Sequence, residues 1–346
     1  MSDELLFPAD AWQPAAPPPA PPPREPAWTG VELAVIVLFT LTAMVGISFI
    51  ALLGWAILAH QAHLRAAAGS ELALVGVTLI GQTGGMAAGF LVTWQWVREA
   101  RGRRIGDAIR WRRLSSAAAL TAVLGGAAMM IAVQLLGHVL PMPKSVPMDR
   151  LFTPRTAWLM TIYGVGIAPF FEEFFFRGLL YPTLRSTFQE GMSSAELRAW
   201  RPITRLLAVL GAGAVLFWRW RMLVFGLGSP VAVTVADIAA LALVATAIVP
   251  QAPLALVGWV FNLMAGWRQP ELLAIVATGT LFGLMHAAQL GWAWAAVLIL
   301  ILVGTVLTMV RARTGSLMAS WLVHVAYNGT LFAAQFVTTR GFRHFS

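Results

Sequence analysis

The sequence predicts an all-α polytopic membrane protein with about eight or more transmembrane helices. Two observations lead to this fold class. Hydrophobic residues make up 58% of the 346 residues and charged residues only 11%, whereas a soluble domain carries about 25% charged residues. After the first 30 residues, apolar runs also follow one another along the chain, each about as long as the roughly 20 residues that a helix needs to cross a bilayer.

The chain begins with a tail that carries no apolar span. Residues 1–30 include the run from Pro14 to Pro23, PAAPPPAPPP, which favours polyproline II and has no face to bury. We therefore predict a disordered tail. Residues 31–140 form an N-terminal group of transmembrane helices, and residues 141–346 hold the remaining spans.

The apolar runs give the expected helices in order. The predicted spans are Val31 to Ala59, Leu72 to Val97, Leu114 to Leu140, Thr156 to about Arg185 with a kink expected at Pro169, Leu272 to Leu290, Ala293 to Val310 and Gly315 to Phe336. The region from Leu206 to Trp267 is broken by glycines, prolines and a Trp-Arg alternation, which indicates one or two spans plus an interfacial segment.

The charge pattern predicts orientation and partners. The net charge is +9 and comes almost entirely from arginine. Seven arginines fall between Arg98 and Arg113, and the positive-inside rule places this loop in the cytoplasm. Two spans precede it, so the N-terminus is also expected there, in a bacterial inner membrane. Membrane lipids, rather than nucleic acid, are the expected partners of the arginines. There is no cysteine, which excludes disulfides, thiolate metal sites and a cysteine nucleophile.

One predicted span contains a group of charges whose burial in a membrane is energetically unfavourable. Glu172, Glu173 and Arg177 lie inside the apolar run GVGIAPFFEEFFFRGLLY. A charge at the centre of a membrane helix costs about 2.5–3.5 kcal/mol even on lenient scales. Glu173 and Arg177 are four residues apart and can pair on one helix face, which leaves Glu172, rotated by about 100°, to face another partner.

Two other spans supply groups of complementary chemistry. His286 lies in one, and His324 and Asn328 share a face of another. A carboxylate and an imidazole can activate a water as general base, and an imidazole and an amide can stabilise an oxyanion. The set suits hydrolysis of an amide without a covalent intermediate, although spacing alone leaves Glu173 open as the base. The alternative is that these groups are structural contacts between helices.

Other hydrolytic designs fit the residues less well. The HExxH motif of zinc proteases is absent, although Glu172, His286 and His324 remain open as metal ligands. A serine protease design needs a serine in a tight glycine motif, and Ser316 in TGSL is the nearest candidate. Ser316 sits at a predicted helix start, where N-capping explains it better. An aspartyl protease needs two aspartates within the membrane spans, and only Asp237 qualifies.

The same residues resemble the three signature motifs of the CPBP family of membrane proteases. The three motifs read Glu172-Glu173-xxx-Arg177, Phe282-xxx-His286 and His324-xxx-Asn328. This family includes the type 2 CAAX prenyl proteases and bacterial proteins described as bacteriocin-processing or abortive-infection-like. The resemblance covers about Ala157 to Phe336, including the approach Arg313 to Leu317 before the last motif.

The resemblance implies a metal-independent intramembrane glutamic endopeptidase with its active site in a cavity within the bundle and no cofactor. Glu172 and His286 would activate the water, and His324 and Asn328 would form the oxyanion hole. Supporting roles fall to Glu173, Arg177 and Phe282. The substrate would be a peptide or protein, lipidated or not, cut near the membrane. Residues 141–346 would form the catalytic domain, with an insertion at 186–270, because more than a hundred residues separate Arg177 from His286.

Two rival functions remain at this point. A non-enzymatic scaffold, or an immunity or regulatory protein, could keep the fold without turnover. A transporter could use the buried charges as a relay, although no internal repeat of the kind common in transporters is visible.

Overall fold

A computed structural model describes residues 26–61, 71–224, 230–265 and 269–344. Within these ranges the secondary structure is helical, with no β-strand, so the predicted all-α class is confirmed. The proline-rich run of the predicted tail lies outside the described residues.

The first helices form a close pair. Helix α1 (Gly30–Gln61) packs along α2 (Glu71–Arg101). A Cβ atom added to Gly85 would lie 2.6 Å from the backbone nitrogen of Met44. The glycine therefore allows the backbones to approach, as small residues do between membrane helices. A one-turn helix, α3 (Ile105–Ala108), follows in the arginine-rich loop.

Helix α4 (Ser116–Val139) begins after this loop and packs against the last helix of the chain. It leads to a loop that contains a 3₁₀ turn at Pro147–Leu151. This loop meets the turn after residue 285, because the backbone N–H of Met148 donates to the carbonyl of Gln289 at 3.1 Å.

The helix that carries the two glutamates is a single 34-residue span, Ala157–Glu190. It alternates between α-helix and π-helix, in the order α5 (Ala157–Ile162), π (Tyr163–Ile167), α6 (Ala168–Glu173), π (Phe174–Leu180) and α7 (Tyr181–Glu190). Pro169 lies at the start of α6, a position at which the missing N–H of proline is tolerated. π segments often occur at functional sites.

Three helices occupy the region for which the sequence predicts one or two spans plus an interfacial segment. Helix α8 (Ser194–Val224) packs against α9 (Pro230–Ile248). The axis then bends by 87° into α10 (Gln251–Ala265). The side chain of Asn262 ties α10 to the end of α7, since its Oδ1 accepts from the N–H of Met192 at 2.7 Å.

The last three helices complete the bundle. They are α11 (Pro270–Met285), α12 (Trp294–Thr314) and α13 (Leu317–Thr338). Added Cβ atoms at Gly279 and Gly283 would lie 2.6 Å from backbone nitrogens of α12, so these glycines bring α11 and α12 into close contact. The sequence placed His286 inside a span reaching Leu290, but α11 ends at Met285 and His286 is its C-cap.

The number of long apolar helices is lower than the predicted eight or more. The described residues contain six helices long and apolar enough to cross a membrane, or seven if the bent α9–α10 pair counts as one span. The shortfall has a physical origin. Helix α11 has only 16 residues, and α9 and α10 turn sharply instead of forming two full spans. The span predicted from Gly315 to Phe336 forms the 22-residue helix Leu317–Thr338, but this helix is not among those apolar enough to cross a membrane.

The bundle has two distinct ends. The arginine-rich loop lies at the start of α13, where the N–H of Leu317 donates to the carbonyl of Arg110 at 2.9 Å. We call this the arginine-rich end. The loop before α5 and the C-terminus of α13 lie at the opposite end.

Candidate active site

Two histidines face one carboxylate in the centre of the bundle. The Nε2 atom of His286 lies 3.8 Å from Oε1 of Glu172, and the Nε2 atom of His324 lies 3.7 Å from Oε2. The side chains of Glu172 and His286 are 19% and 20% exposed, whereas that of His324 is 3% exposed. The structure thus brings together three of the four predicted catalytic residues, with His286 and His324 facing the partly exposed carboxylate of Glu172.

Hydrogen bonds at the other ring nitrogens orient both histidines. The Nδ1 atom of His286 lies 2.8 Å from the carbonyl oxygen of Phe282, and Nδ1 of His324 lies 2.9 Å from Oε1 of Glu173. A carbonyl oxygen and an ionised carboxylate only accept hydrogen bonds, so each Nδ1 carries a proton in these contacts. The Nε2 atoms that face Glu172 are therefore the nitrogens free to exchange a proton.

Glu173 is fully buried and makes three contacts. Its Oε1 pairs with Nη1 of Arg177 at 2.9 Å and accepts from His324. Its Oε2 accepts from the hydroxyl of Ser320. The ion pair that the four-residue spacing predicts is present. Glu173 also positions His324, which the spacing did not indicate.

Arg177 is the largest fully buried side chain among the described residues. Beyond its ion pair, its Nη2 donates to the carbonyl of Gly304 at 2.8 Å and its Nε donates to Oγ1 of Thr308 at 3.2 Å. A buried charge needs this degree of pairing, because removing a charge from water costs several kcal/mol. Arg177 therefore links the glutamate helix to α12.

Phe282 packs among the charged groups. The Arg177 guanidinium lies 4.6 Å from its ring centroid. The rings of His286 and His324 lie 4.8 Å and 5.9 Å from it. These contacts and the carbonyl bond to His286 explain how this residue, predicted as supporting, holds both imidazoles in place.

Asn328 lies one turn after His324 on α13 but contacts a different group. Its Nδ2 donates to the carbonyl of Gly164 at 2.7 Å. Gly164 belongs to the π turn before α6, where the carbonyls are not all paired in the regular α-helical pattern. The contact uses one of the two amide hydrogens of Asn328.

Two hydroxyls near the site were missed by the sequence reading. Ser320 bonds Glu173, and Thr308 bonds Arg177. Ser320, His324 and Asn328 follow one another at four-residue intervals, so a search for polar residues on one helix face would have found Ser320. Thr308 has no comparable signal, because its role depends on how α12 packs.

Asp237 and Ser316, the candidates for an aspartyl and a serine protease, lie away from the two histidines. Asp237 of α9 forms an ion pair with Arg219 of α8. Ser316 occupies the N-cap position of α13, but its hydroxyl donates to the carbonyl of Arg112 at 2.9 Å instead of capping the helix. The predicted capping role of Ser316 is therefore wrong.

The geometry also bears on the metal alternative. In the described part of the chain, no group of three His, Asp or Glu side chains is arranged to hold a metal ion. This includes the set of Glu172, His286 and His324 that the sequence left open.

Comparison with known families adds independent information. Residues 237–330 match the family described as Rce1-like, type II CAAX prenyl endopeptidase. Over these residues the chain is similar to type II CAAX prenyl endopeptidases, and the match supports the resemblance to the CPBP and CAAX proteases that the three motifs indicate. No match was found among the curated proteins or among the solved structures.

The matched part of the chain covers the second and third motifs, with Phe282, His286, His324 and Asn328. It leaves out the glutamate motif, which precedes residue 237. The match also begins inside the segment interpreted as an insertion, so the boundaries of that insertion stay a prediction. The matched family is one of proteases, which supports a peptidase, and the match together with the apolar helices points to an integral membrane protein.

Proposed function

We propose that the protein is an intramembrane glutamic endopeptidase that hydrolyses a membrane-proximal peptide bond with a water activated by Glu172 and His286. The observation that carries the proposal is the pair of Nε2 atoms, at 3.7 and 3.8 Å, that face one partly exposed carboxylate. These separations exceed a direct hydrogen bond, and a water between such groups could contact each of them.

The reaction follows from the groups present. One proton of the water passes to the Glu172–His286 pair, and the water oxygen attacks the carbonyl carbon of the substrate. The resulting oxyanion accepts hydrogen bonds from His324 and from the second amide hydrogen of Asn328. The carbon–nitrogen bond then breaks as the stored proton passes to the leaving amine. No bond forms between enzyme and substrate.

The role of His324 as a donor sets its charge. Its Nδ1 proton is committed to Glu173, so Nε2 can donate to an oxyanion only when the ring is an imidazolium. The neighbouring charges suit this state. Glu172 and Glu173 contribute two negative charges, and Arg177 with protonated His324 would contribute two positive charges. The buried group would then be neutral overall, which lowers the cost of burial.

The location of the site constrains the substrate. Glu172 lies near the middle of the Ala157–Glu190 span, at membrane depth. A peptide bond must enter the helix bundle to reach it, and a lipid-modified or membrane-anchored segment is already close to that depth. We therefore propose a membrane-anchored peptide substrate, with prenylated C-terminal peptides as the first class to test.

The test is a cleavage assay on the purified protein with prenylated and unmodified fluorogenic peptides. Three variants change the groups that face the water: E172Q replaces the carboxylate with an amide, and H286N and H324N remove the Nε2 atom. Each asparagine can keep the hydrogen bond that Nδ1 makes, while Nε2 is lost. We expect each variant to fold and to lose about 10²–10⁴-fold in kcat, the usual contribution of a general acid or base.

Two further measurements separate the mechanisms. Hydroxylamine traps an acyl-enzyme as a hydroxamate, and direct attack by water gives none, so hydroxamate formation would contradict the proposal. E173Q should reduce stability as well as turnover, because it weakens three buried contacts. If E173Q abolished turnover in a fully stable protein while E172Q remained active, the two glutamates would have exchanged roles. Absence of cleavage of every peptide by the wild type would favour the scaffold alternative.

A further inference from the structure

A cavity lies at the end of the bundle opposite the arginine-rich end. It measures about 730 Å³ and none of the proposed catalytic residues lines it. Its walls come from the start of α5 and the C-terminal end of α13. They are formed by Pro154, Trp158, Phe336, Arg340, Phe342 and Arg343.

The chain after α13 forms an unusual turn beside this cavity, which we call the C-terminal hook (residues 339–344). Arg340, Gly341 and Phe342 have φ values of 51°, 80° and 60°. Residues other than glycine seldom adopt positive φ, and bulky ones are outliers there. Strained backbone of this kind persists only when surrounding contacts fix it, and it clusters at functional sites.

Specific hydrogen bonds hold the hook. The carbonyl of Thr339 accepts from the N–H groups of Arg343 and His344 at 3.1 and 3.0 Å, and its Oγ1 accepts from the N–H of Phe342 at 3.0 Å. The side chain of Phe342 is buried by this turn. The hook is thus a built feature that fixes the backbone carrying the two arginines.

One side of the cavity is aromatic, with Phe342 buried and Trp158 and Phe336 exposed. The ring of Phe342 lies 5.2 Å from that of Trp158 and 5.3 Å from that of Phe336. Val337 beside them is 74% exposed, near the C-terminal end of α13. The cavity therefore presents an aromatic wall that continues onto an exposed apolar side chain.

The open side of the cavity is basic. Arg340 and Arg343 are exposed, and no carboxylate among the described residues pairs with either of them. Guanidinium groups match phosphate oxygens with two parallel hydrogen bonds. Two arginines above an aromatic wall at the membrane boundary complement a molecule with a phosphate at one end and an apolar chain at the other.

We propose that this cavity binds the headgroup of an anionic phospholipid. The phosphate diester lies between Arg340 and Arg343, and the first part of an acyl chain follows Trp158 and Val337. The apolar wall favours a lipid over a soluble phosphate ester, because a free phosphate has no acyl chain to pack against the wall. The site is independent of peptide cleavage.

The test measures lipid retained by the full-length protein. Protein purified in a neutral detergent is incubated with phosphatidylglycerol or with phosphatidylcholine, and bound lipid is counted by native mass spectrometry. The double variant R340Q/R343Q removes both charges but keeps polar side chains of similar reach. The control K144A/R150A removes two exposed positive charges from the same end without touching the cavity.

We expect wild type and the control to retain phosphatidylglycerol in preference to phosphatidylcholine, and R340Q/R343Q to bind it roughly 30-fold more weakly, about fivefold for each arginine. Equal retention by R340Q/R343Q and the control would overturn the proposal, as would equal retention of the two lipids by the wild type. Displacement of the lipid by millimolar glycerol phosphate would identify a soluble phosphate site instead.

Trp158 provides a second readout. Brominated phosphatidylglycerol should quench wild-type fluorescence more than that of W158F, and equal quenching would count against the site.

Discussion

The Nδ1 atom of His324 lies 2.9 Å from Oε1 of Glu173, on the side of the ring away from Glu172. The two adjacent glutamates therefore contact one imidazole from its two nitrogens. Glu173 is fully buried and holds the ring, whereas Glu172 is partly exposed and faces its free nitrogen. A charge pair that looks redundant in the sequence thus has two separate roles in the fold.

Replacing Arg177 should be among the most destabilising changes in the chain. R177Q removes the ion pair and leaves the Glu173 charge buried without its cation. Breaking one partner of a buried pair costs about 3–5 kcal/mol. We expect a loss of that size in the free energy of unfolding, measured by denaturant titration in mixed micelles.

The control for Arg177 is the exposed ion pair at the start of α1. Arg101 contacts Glu32 at 2.9 Å, and their side chains are 39% and 22% exposed. R101Q should cost about 0–1 kcal/mol, as exposed pairs do. Equal destabilisation by R101Q and R177Q would show that burial does not determine the contribution of Arg177.

Removing the hydroxyl of Ser320 should slow turnover without preventing substrate binding. S320A deletes a hydrogen bond to the buried Glu173 carboxylate, and hydrogen bonds to charged groups contribute about 1.5–3 kcal/mol. Part of this loss should appear as misplacement of His324, with kcat roughly tenfold lower and KM nearly unchanged. Steady-state kinetics on a peptide that the wild type cleaves would measure both constants.

Thr330 offers a matched control on the same helix. Its hydroxyl bonds only the carbonyl of Ala326 within α13, so T330A should leave kcat unchanged. The glutamine variant S320Q should fail to rescue, because the side chain is too large for this fully buried position. Equal kinetics for S320A and wild type would remove Ser320 from the positioning network.

Sequence reasoning predicted the fold class and the pairing of Glu173 with Arg177 because both depend on local spacing and composition. It also selected Glu172, His286 and His324, which the structure places together. It did not predict that α11 ends before His286, since an apolar run does not reveal where a helix stops. It missed the contacts of Ser320, Thr308 and Gly164, because these depend on how α6, α12 and α13 pack.

Chelators should not inhibit the enzyme. No three His, Asp or Glu side chains of the described residues are arranged to hold a metal ion, and the proposed reaction uses only side-chain acids and bases. We expect cleavage after dialysis against EDTA or 1,10-phenanthroline to stay within about twofold of the untreated rate, far from the 10²–10⁴-fold contributed by a catalytic group. Inhibition that is reversed by added zinc would contradict the glutamic mechanism.

Two adjacent glycines in α4 provide a test of how closely the histidine helix must be held. A Cβ atom at Gly126 would lie 2.7 Å from Cβ of Ala326 and 3.0 Å from the backbone nitrogen of Tyr327, whereas one at Gly125 would meet nothing within 4 Å. G126A should therefore push α13 away from α4 beside His324. Overpacking of this kind costs about 1–3 kcal/mol, and a displacement near 1 Å can lower the rate about 10²-fold.

G125A makes the same chemical change one position earlier and should be harmless. Alanine is a better helix former than glycine, so G125A is expected to be neutral or to stabilise by up to about 1 kcal/mol. The comparison requires thermal unfolding and peptide cleavage on both variants. If G126A matched G125A in both, the contact between α4 and α13 would not control the position of His324. Loss of activity in G126A with unchanged stability would show instead that the active site tolerates less movement than the fold does.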